Sequence, residues 1–132
     1  MEALNRKLDS VVAYEGGSFR ERSLGKGIYH AIPAVALKRI AQRYEYGEVK
    51  YGQSDAFKDG LPVSSCFDSA MRHLVAYLAG DNTEDHLAAC IWNCCAMIYM
   101  EVEKPEWQDI EVRKSIDASE LEYTSYVKGE FK

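Results

Sequence analysis

At 132 residues, with 16 Lys and Arg against 21 Asp and Glu, the chain is long enough to bury one core and too short for two domains. A net charge of −5 disfavours bulk binding to nucleic acid. No apolar run has the length of a membrane span, and the polar N-terminus Met1-Glu-Ala-Leu-Asn-Arg-Lys is unlike a signal peptide, so a cytoplasmic protein that engages no membrane is expected.

Residues 1–12 suit a short helix that Gly16-Gly17 would stop, and 18–27 read as a loop in which Arg20, Arg22 and Lys26 mix with Gly25 and Gly27. That loop lacks the G-x-x-x-x-G-K-[ST] pattern and is not a P-loop. Pro33 suits the first turn of a helix over 35–51, with Leu37, Ile40, Ala41 and Tyr44 at helical spacing. Glu45 and Glu48 are neighbours on that helix. They are either an exposed surface partly neutralised by Arg43 and Lys50, or a pair that holds Mg²⁺.

Turn residues fill 52–61, and a second helix runs from Val63 or Ser64 to Gly80, with Phe67, Ala70, Met71, Leu74, Tyr77 and Leu78 as its apolar face. Arg72-His73 lies midway along it, where Arg72 can clamp a phosphate or pair with an acid on a neighbouring helix. The short Gly80-Asp81-Asn82 turn makes the next helix an antiparallel neighbour. That helix spans about 83–101. Thr83 is its expected N-cap, Glu84 and Asp85 its first turn, and Leu87, Ile91, Cys94, Ile98 and Val102 its buried stripe. His86 and Asn93, seven apart on one side, are either satisfied core groups or functional ones. The four cysteines, Cys66, Cys90, Cys94 and Cys95, fall inside these apolar patterns and read as reduced, buried thiols ahead of a zinc site.

The pattern fails at Lys104-Pro105-Glu106-Trp107, beyond which the tail is charged and 117–127 suits a short helix. No strand signal persists, so the expected fold is all-α, a compact helical bundle of about three main helices.

In order along the chain stand Lys26-Gly27, Ile32-Pro33, Tyr44-Glu45-x-Gly47-x-x-Lys50-Tyr51-Gly52, Arg72-His73-Leu74, Gly80-Asp81 and Glu84-Asp85-His86-Leu87-Ala88 followed by Trp92-Asn93. As an ordered set they resemble the phage dATP/dGTP diphosphohydrolases, relatives of the MazG-type all-α NTP pyrophosphohydrolases. The likeness covers roughly residues 18–103, leaving 104–132 as a C-terminal extension of one domain. It implies a homo-oligomer, dimer or tetramer, that converts dGTP or dATP to dNMP and pyrophosphate with Mg²⁺ or Mn²⁺. It further implies metal held by Glu45 and Glu48 on one helix and by Glu84 and Asp85 at the start of another. Glu48 and Glu84 would be the catalytic carboxylates, and where the family has a spaced E-x-x-D this chain has adjacent Glu84-Asp85.

Clustered carboxylates and cations agree with such chemistry, which needs an activated water and charge neutralisation on phosphate oxygens. Lys26, Lys50 and Arg72 would meet the polyphosphate; His73, His86 and Asn93 would orient ligands, water or sugar; Tyr51 or Trp92 would stack on the purine. Two other readings remain. An HD-type phosphohydrolase would use His73, His86 and Asp85, although the chain has Asp-His where that chemistry wants His-Asp, and a non-enzymatic helical interaction module would use the tyrosine-bearing tail.

Overall fold

The computed structural model describes residues 11–21, 25–53 and 55–117, which fall into two units divided between Tyr29 and His30. The first unit holds an antiparallel hairpin of β1 (Val11–Ala13) and β2 (Phe19–Glu21), with Val11 opposite Glu21 and Ala13 opposite Phe19. Tyr14 N–H donates to the Ser18 carbonyl and Gly17 N–H to the Tyr14 carbonyl, both at 2.9 Å. Gly17 turns the chain at φ +87°, a conformation that glycine enters without a Cβ clash. This pairing replaces the end of the helix expected over 1–12, of which 1–10 lie outside the described residues. The β-branched Val11-Val12 followed by Gly16-Gly17 is a hairpin signal, but strands of three residues are too short to show a period.

The second unit is built from three helices, and the fold class is all-α. α1 (Ala34–Tyr51) and α2 (Val63–Leu78) each start directly after a proline, Pro33 and Pro62, whose φ values of −58° and −56° already suit a helix. α1 stops where Gly52, at φ +83°, donates its N–H to the Glu48 carbonyl at 2.8 Å. α2 stops in a paired motif: Gly80 N–H reaches the Tyr77 carbonyl and Asp81 N–H reaches the Ala76 carbonyl, both at 3.0 Å, with Gly80 at φ +84°. At the other end of α2 the Ser64 N–H is met from a distance, because the Asp109 carboxylate accepts from it at 2.8 Å and from the Ser64 hydroxyl.

α3 (His86–Glu103) begins three residues later than expected. Asp85, not Thr83, is its N-cap, accepting from Ala88 N–H at 3.1 Å, while the Thr83 hydroxyl donates to Asp81 at 2.8 Å. A carboxylate on the residue just before the helix captures a first-turn donor better than a hydroxyl two residues further back.

α2 and α3 form an antiparallel hairpin: His73 meets His86 and Ser69 meets Asn93, so partners run in opposite directions. Apart from Met100, the buried apolar residues of this hairpin are small, with Val63, Cys66 and Ala70 from α2 and Ala89, Cys90 and Ala96 from α3. Here the expected core is inverted. Of the stripe predicted to be buried on α3, Ile98 is 62% exposed and Val102 59%, Ile91 and Cys94 are also exposed, and Leu87 is half-buried. On α2 Ala70 is buried as expected, while Phe67, Met71, Leu74, Tyr77 and Leu78 are exposed. α3 is apolar almost all round, so the period of its large residues marks one of two apolar faces, and the face of small residues is the one that lets the backbones close up.

Cys66 and Cys90 are buried, Cys95 is half-buried and Cys94 is exposed; all four are free thiols. α1 lies against α3 through an aromatic cluster in which Phe57 makes edge contacts with Tyr44, Trp92 and Tyr99 at centroid distances of 6.2, 5.9 and 5.2 Å. Behind α3 the chain folds back so that the Trp107 indole covers Gly60, where a Cβ would come within 2.2 Å of the ring. The helix expected over 117–127 lies outside the described residues beyond Asp117.

Candidate active site

A cavity of about 390 Å³ opens between the three helices of the second unit. α1 contributes Arg43, Tyr46, Gly47 and Tyr51, α2 contributes Ser69, Arg72 and His73, and α3 contributes Ala89, Trp92 and Asn93. The i, i+3, i+4 spacing of Arg43, Tyr46 and Gly47 puts them on the inward face of α1, and Gly47 leaves the wall open where a side chain would fill it. Asn93 is fixed in the wall: its amide nitrogen donates to the Ala89 carbonyl at 2.9 Å and to the Ser69 hydroxyl at 3.2 Å.

At one edge of the cavity, two imidazoles and a carboxylate converge. The Nδ1 atoms of His73 and His86 lie 2.9 Å apart, and the Glu84 Oε1 is 3.9 Å from His73 Nδ1. The other nitrogen of His86, Nε2, is bonded at 2.5 Å to the Asp81 carboxylate, which also accepts from Thr83. Those two hydrogen bonds, His86 first, hold the Asp81 carboxyl below the usual carboxylate range. Burial lowers the pKa of His73 below that of a free imidazole, the nearby Glu84 opposing it in part. Arg43 donates to the same Glu84 oxygen at 3.1 Å. Among the described residues, His73, Glu84 and His86 are the only group of three whose metal-binding atoms all lie within 4.8 Å of one another. A nitrogen, nitrogen, oxygen donor set with one imidazole backed by a carboxylate fits a divalent ion chemically.

Five of the residues singled out from the sequence, Tyr51, Arg72, His73, Trp92 and Asn93, line this cavity, and His86 is bonded directly behind His73. Glu84 belongs to the edge group, whereas Asp85 is spent elsewhere. Arg39 binds both of its oxygens, at 2.8 and 2.7 Å, and this holds the Asp85 carboxyl down at about 2. Glu45 and Glu48 are exposed and form no part of the cavity wall. On a straight helix they lie about 200° and 140° round from Arg43. Lys50 lies over the rings of Tyr46 and Tyr51 at 5.5 and 5.3 Å, and Lys26 belongs to the hairpin unit.

Arg39, Ser69 and Tyr46 do not stand out in the sequence, Asp81 stands there only in the turn and in the Gly80-Asp81 motif, and Arg43 reads as a surface counter-ion. The i, i+4 pair Arg39 and Arg43, one turn apart and facing an acidic Glu84-Asp85, was the available signal.

Residues 17–110 match the family model described as dATP/dGTP diphosphohydrolase, N-terminal. The chain belongs to that family. It is accordingly an enzyme of the nucleoside triphosphate pyrophosphohydrolase class, with dATP/dGTP diphosphohydrolase activity as the family function. The matched span of this diphosphohydrolase takes in all three helices, the whole cavity lining and Asp109, the cap of α2. Membership suggests a metal-dependent enzyme, which agrees with the donor group at the cavity edge. No curated protein and no solved structure matches the chain.

Proposed function

We propose that the cavity between the three helices binds dGTP or dATP and releases dNMP and pyrophosphate, using Mg²⁺ or Mn²⁺. The observation that carries this reading is the union in one cavity of two guanidinium groups, Arg43 and Arg72, an edge group of His73, Glu84 and His86, and an aromatic wall of Tyr46, Tyr51 and Trp92. Guanidinium groups suit phosphate oxygens, and aromatic faces suit a purine. A volume of about 390 Å³ is enough for a ligand of nucleotide size held partly open to solvent.

In this reading Arg43 and Arg72 hold the polyphosphate, Trp92 or Tyr51 stacks on the base, and Asn93 orients the sugar or a phosphate. Water attacks the α-phosphorus, the bond from that phosphorus to the bridging oxygen breaks, and pyrophosphate leaves with the electron pair. Glu84 takes the proton of the attacking water. The ion, when bound by the edge group, supplies neutralisation of charge on the phosphate oxygens.

In the same reading Glu45 and Glu48, exposed on the outer side of α1, would act in the cavity of a second chain of the assembly and not in that of their own. The assembly itself, a dimer or tetramer, is supported by the exposed apolar residues Phe67, Met71, Leu74 and Leu78 along α2 and Ile91, Ile98 and Val102 along α3, more than an isolated chain leaves uncovered on two adjoining helices. No helix among the described residues is long and apolar enough to cross a membrane. The likeness of the motifs to the phage branch supports a supply of dGMP for 2-aminoadenine genome synthesis.

Product analysis by anion exchange tests the reaction. The protein is incubated with each dNTP and with GTP, with Mn²⁺, with Mg²⁺ and with chelator. Expected are dNMP and pyrophosphate, chiefly from dGTP or dATP, and nothing with chelator. Nucleoside and triphosphate would assign HD-type chemistry instead, and no product from any nucleotide would assign a helical interaction module.

A further inference from the structure

His73, His86 and Glu84 come from the middle of α2, the first residue of α3 and the turn before it, and their arrangement differs from the carboxylate cage expected for this chemistry. We infer that these three residues form a seat for a first-row transition ion such as Mn²⁺, Co²⁺ or Zn²⁺, in preference to Mg²⁺, with Asp81 as the positioning residue that sets the donor atom of His86. The inference deepens the proposed function, since the ion would stand at the edge of the same cavity, and it is tested through binding so that it can fail or hold separately.

Three observations carry it. Asp81 bonds His86 at Nε2, so in the neutral ring the proton is on Nε2 and the lone pair is on Nδ1, facing His73. A carboxylate behind a ligating imidazole is the usual support of a metal-bound histidine, fixing both tautomer and ring plane. Next, the spacings suit one ion: bonds of about 2.0–2.2 Å place two donors on the same ion roughly 3–4 Å apart. The 2.9 Å between the imidazole nitrogens lies at the short end of that range and the 3.9 Å from His73 to Glu84 near its long end, and the latter is too long for a hydrogen bond. Finally, the donors are two nitrogens and one oxygen, a set that favours transition ions, whereas Mg²⁺ prefers oxygen ligands and keeps its water.

Without an ion, the His73 Nδ1–H donates to His86 Nδ1. Loading moves that proton to Nε2 of His73, so both Nδ1 lone pairs become available and no net proton need be released from the pair. Asp81 is held for this task by the turn that closes α2: its own N–H is tied to the Ala76 carbonyl, and the Thr83 hydroxyl donates to the same carboxylate oxygen that bonds His86.

The experiment uses the full chain stripped with chelator and dialysed, then titrated with Co²⁺ by calorimetry and by the visible ligand-field absorption of the bound ion, in excess Mg²⁺. Expected is one Co²⁺ per chain, with an absorption band that Zn²⁺ displaces and Mg²⁺ does not. Asp81→Asn should weaken Co²⁺ binding by about 10–100-fold while the protein still melts cooperatively. His73→Gln, at a position that is not fully buried, should abolish the band, and it keeps the test open if His86→Gln fails to fold. Absence of Co²⁺ binding, equal competition by Mg²⁺, or unchanged affinity in both His73→Gln and Asp81→Asn would overturn the inference. Histidine-dependent Co²⁺ binding by a chain that hydrolyses no triphosphate would uphold the seat and sink the proposed reaction. Hydrolysis by a chain whose ion binding ignores His73 and Asp81 would do the reverse.

Discussion

α3 has two apolar faces with different uses. The inner one is made of Ala89, Cys90, Ala96 and Met100, interrupted by His86 and Asn93; the outer one carries Ile91, Cys94, Ile98 and Val102. Small residues let α2 approach closely enough for a polar side chain to reach across to its partner, as Asn93 reaches Ser69 and His86 reaches His73. Large residues on that side would have separated the helices and the donor atoms with them. The lesson is that the buried face of a helix which builds a site is chosen for closeness, while the bulkier face is left for another surface to cover.

Substitutions on the two sides should therefore behave differently, and the largest effect is expected at the cavity edge. Glu84→Gln should lower kcat by about 10²–10³-fold without unfolding the chain, in steady-state assays of pyrophosphate release. Glu48→Gln, on the outer side of α1, is its partner experiment: an equal loss would mean that the α1 carboxylates face the cavity of another chain, and a rate within twofold of wild type would remove Glu48 from the chemistry.

On the inner face of α3, Ala96→Leu should destabilise by about 1–3 kcal/mol in urea unfolding, because Ala96 is 1% exposed and the seam has no room to expand. No change there would mean that α2 and α3 are not closely packed. Arg72→Ala, which removes a cation from the cavity wall, should raise KM for the triphosphate roughly 10-fold. Wild-type kinetics would exclude Arg72 from substrate binding.

A smaller effect is expected at the start of α3. The folded-state pKa of Asp85 is depressed to about 2 from an ordinary 3.8, first by its hydrogen bonds to Arg39. The Arg39 ion pair therefore contributes stability that is fully present above the unfolded value and is lost as pH falls through the folded one. Asp85→Asn keeps a capping side chain but loses the charge, so its melting temperature should fall less steeply than that of wild type between about pH 4 and pH 2. Parallel curves would show the pair to be without consequence. The least effect on folding is expected on the outer face, where Ile98→Lys should change the stability of the chain by no more than about 0.5 kcal/mol. In light scattering, however, it should lower the assembled mass, and an unchanged mass would place the subunit contact elsewhere.

Local signals made the helices legible. Pro33, Gly52 and Gly80 each act on the backbone where they stand, so the expected ends lie within a few residues of those observed. The core was not legible from the same pattern, because periodicity reports that a helix has an apolar face and not which of two apolar faces meets a neighbour. Within the site, Arg72, His73, His86, Trp92 and Asn93 drew attention as individuals, through residue type or through the family likeness. The pairing of His73 with His86, the support from Asp81 and the capture of Asp85 by Arg39 depend on how helices meet in space, and one chain read in isolation does not encode those meetings as a spacing.

The short connection between α2 and α3 also sets the order in which the molecule can be made. His73 and His86 are only 13 residues apart, and Asp81 and Glu84 lie between them. Bringing those ends together closes a small loop, at an entropy cost that grows only slowly with length and is low here. During synthesis these four side chains emerge together and can meet as soon as one helical hairpin has formed, before α1 docks on α3 through contacts more than 40 residues apart in sequence. On this order the edge of the cavity belongs to early, local folding, and Arg39 and Arg43, which close on it from α1, come with the later, long-range step.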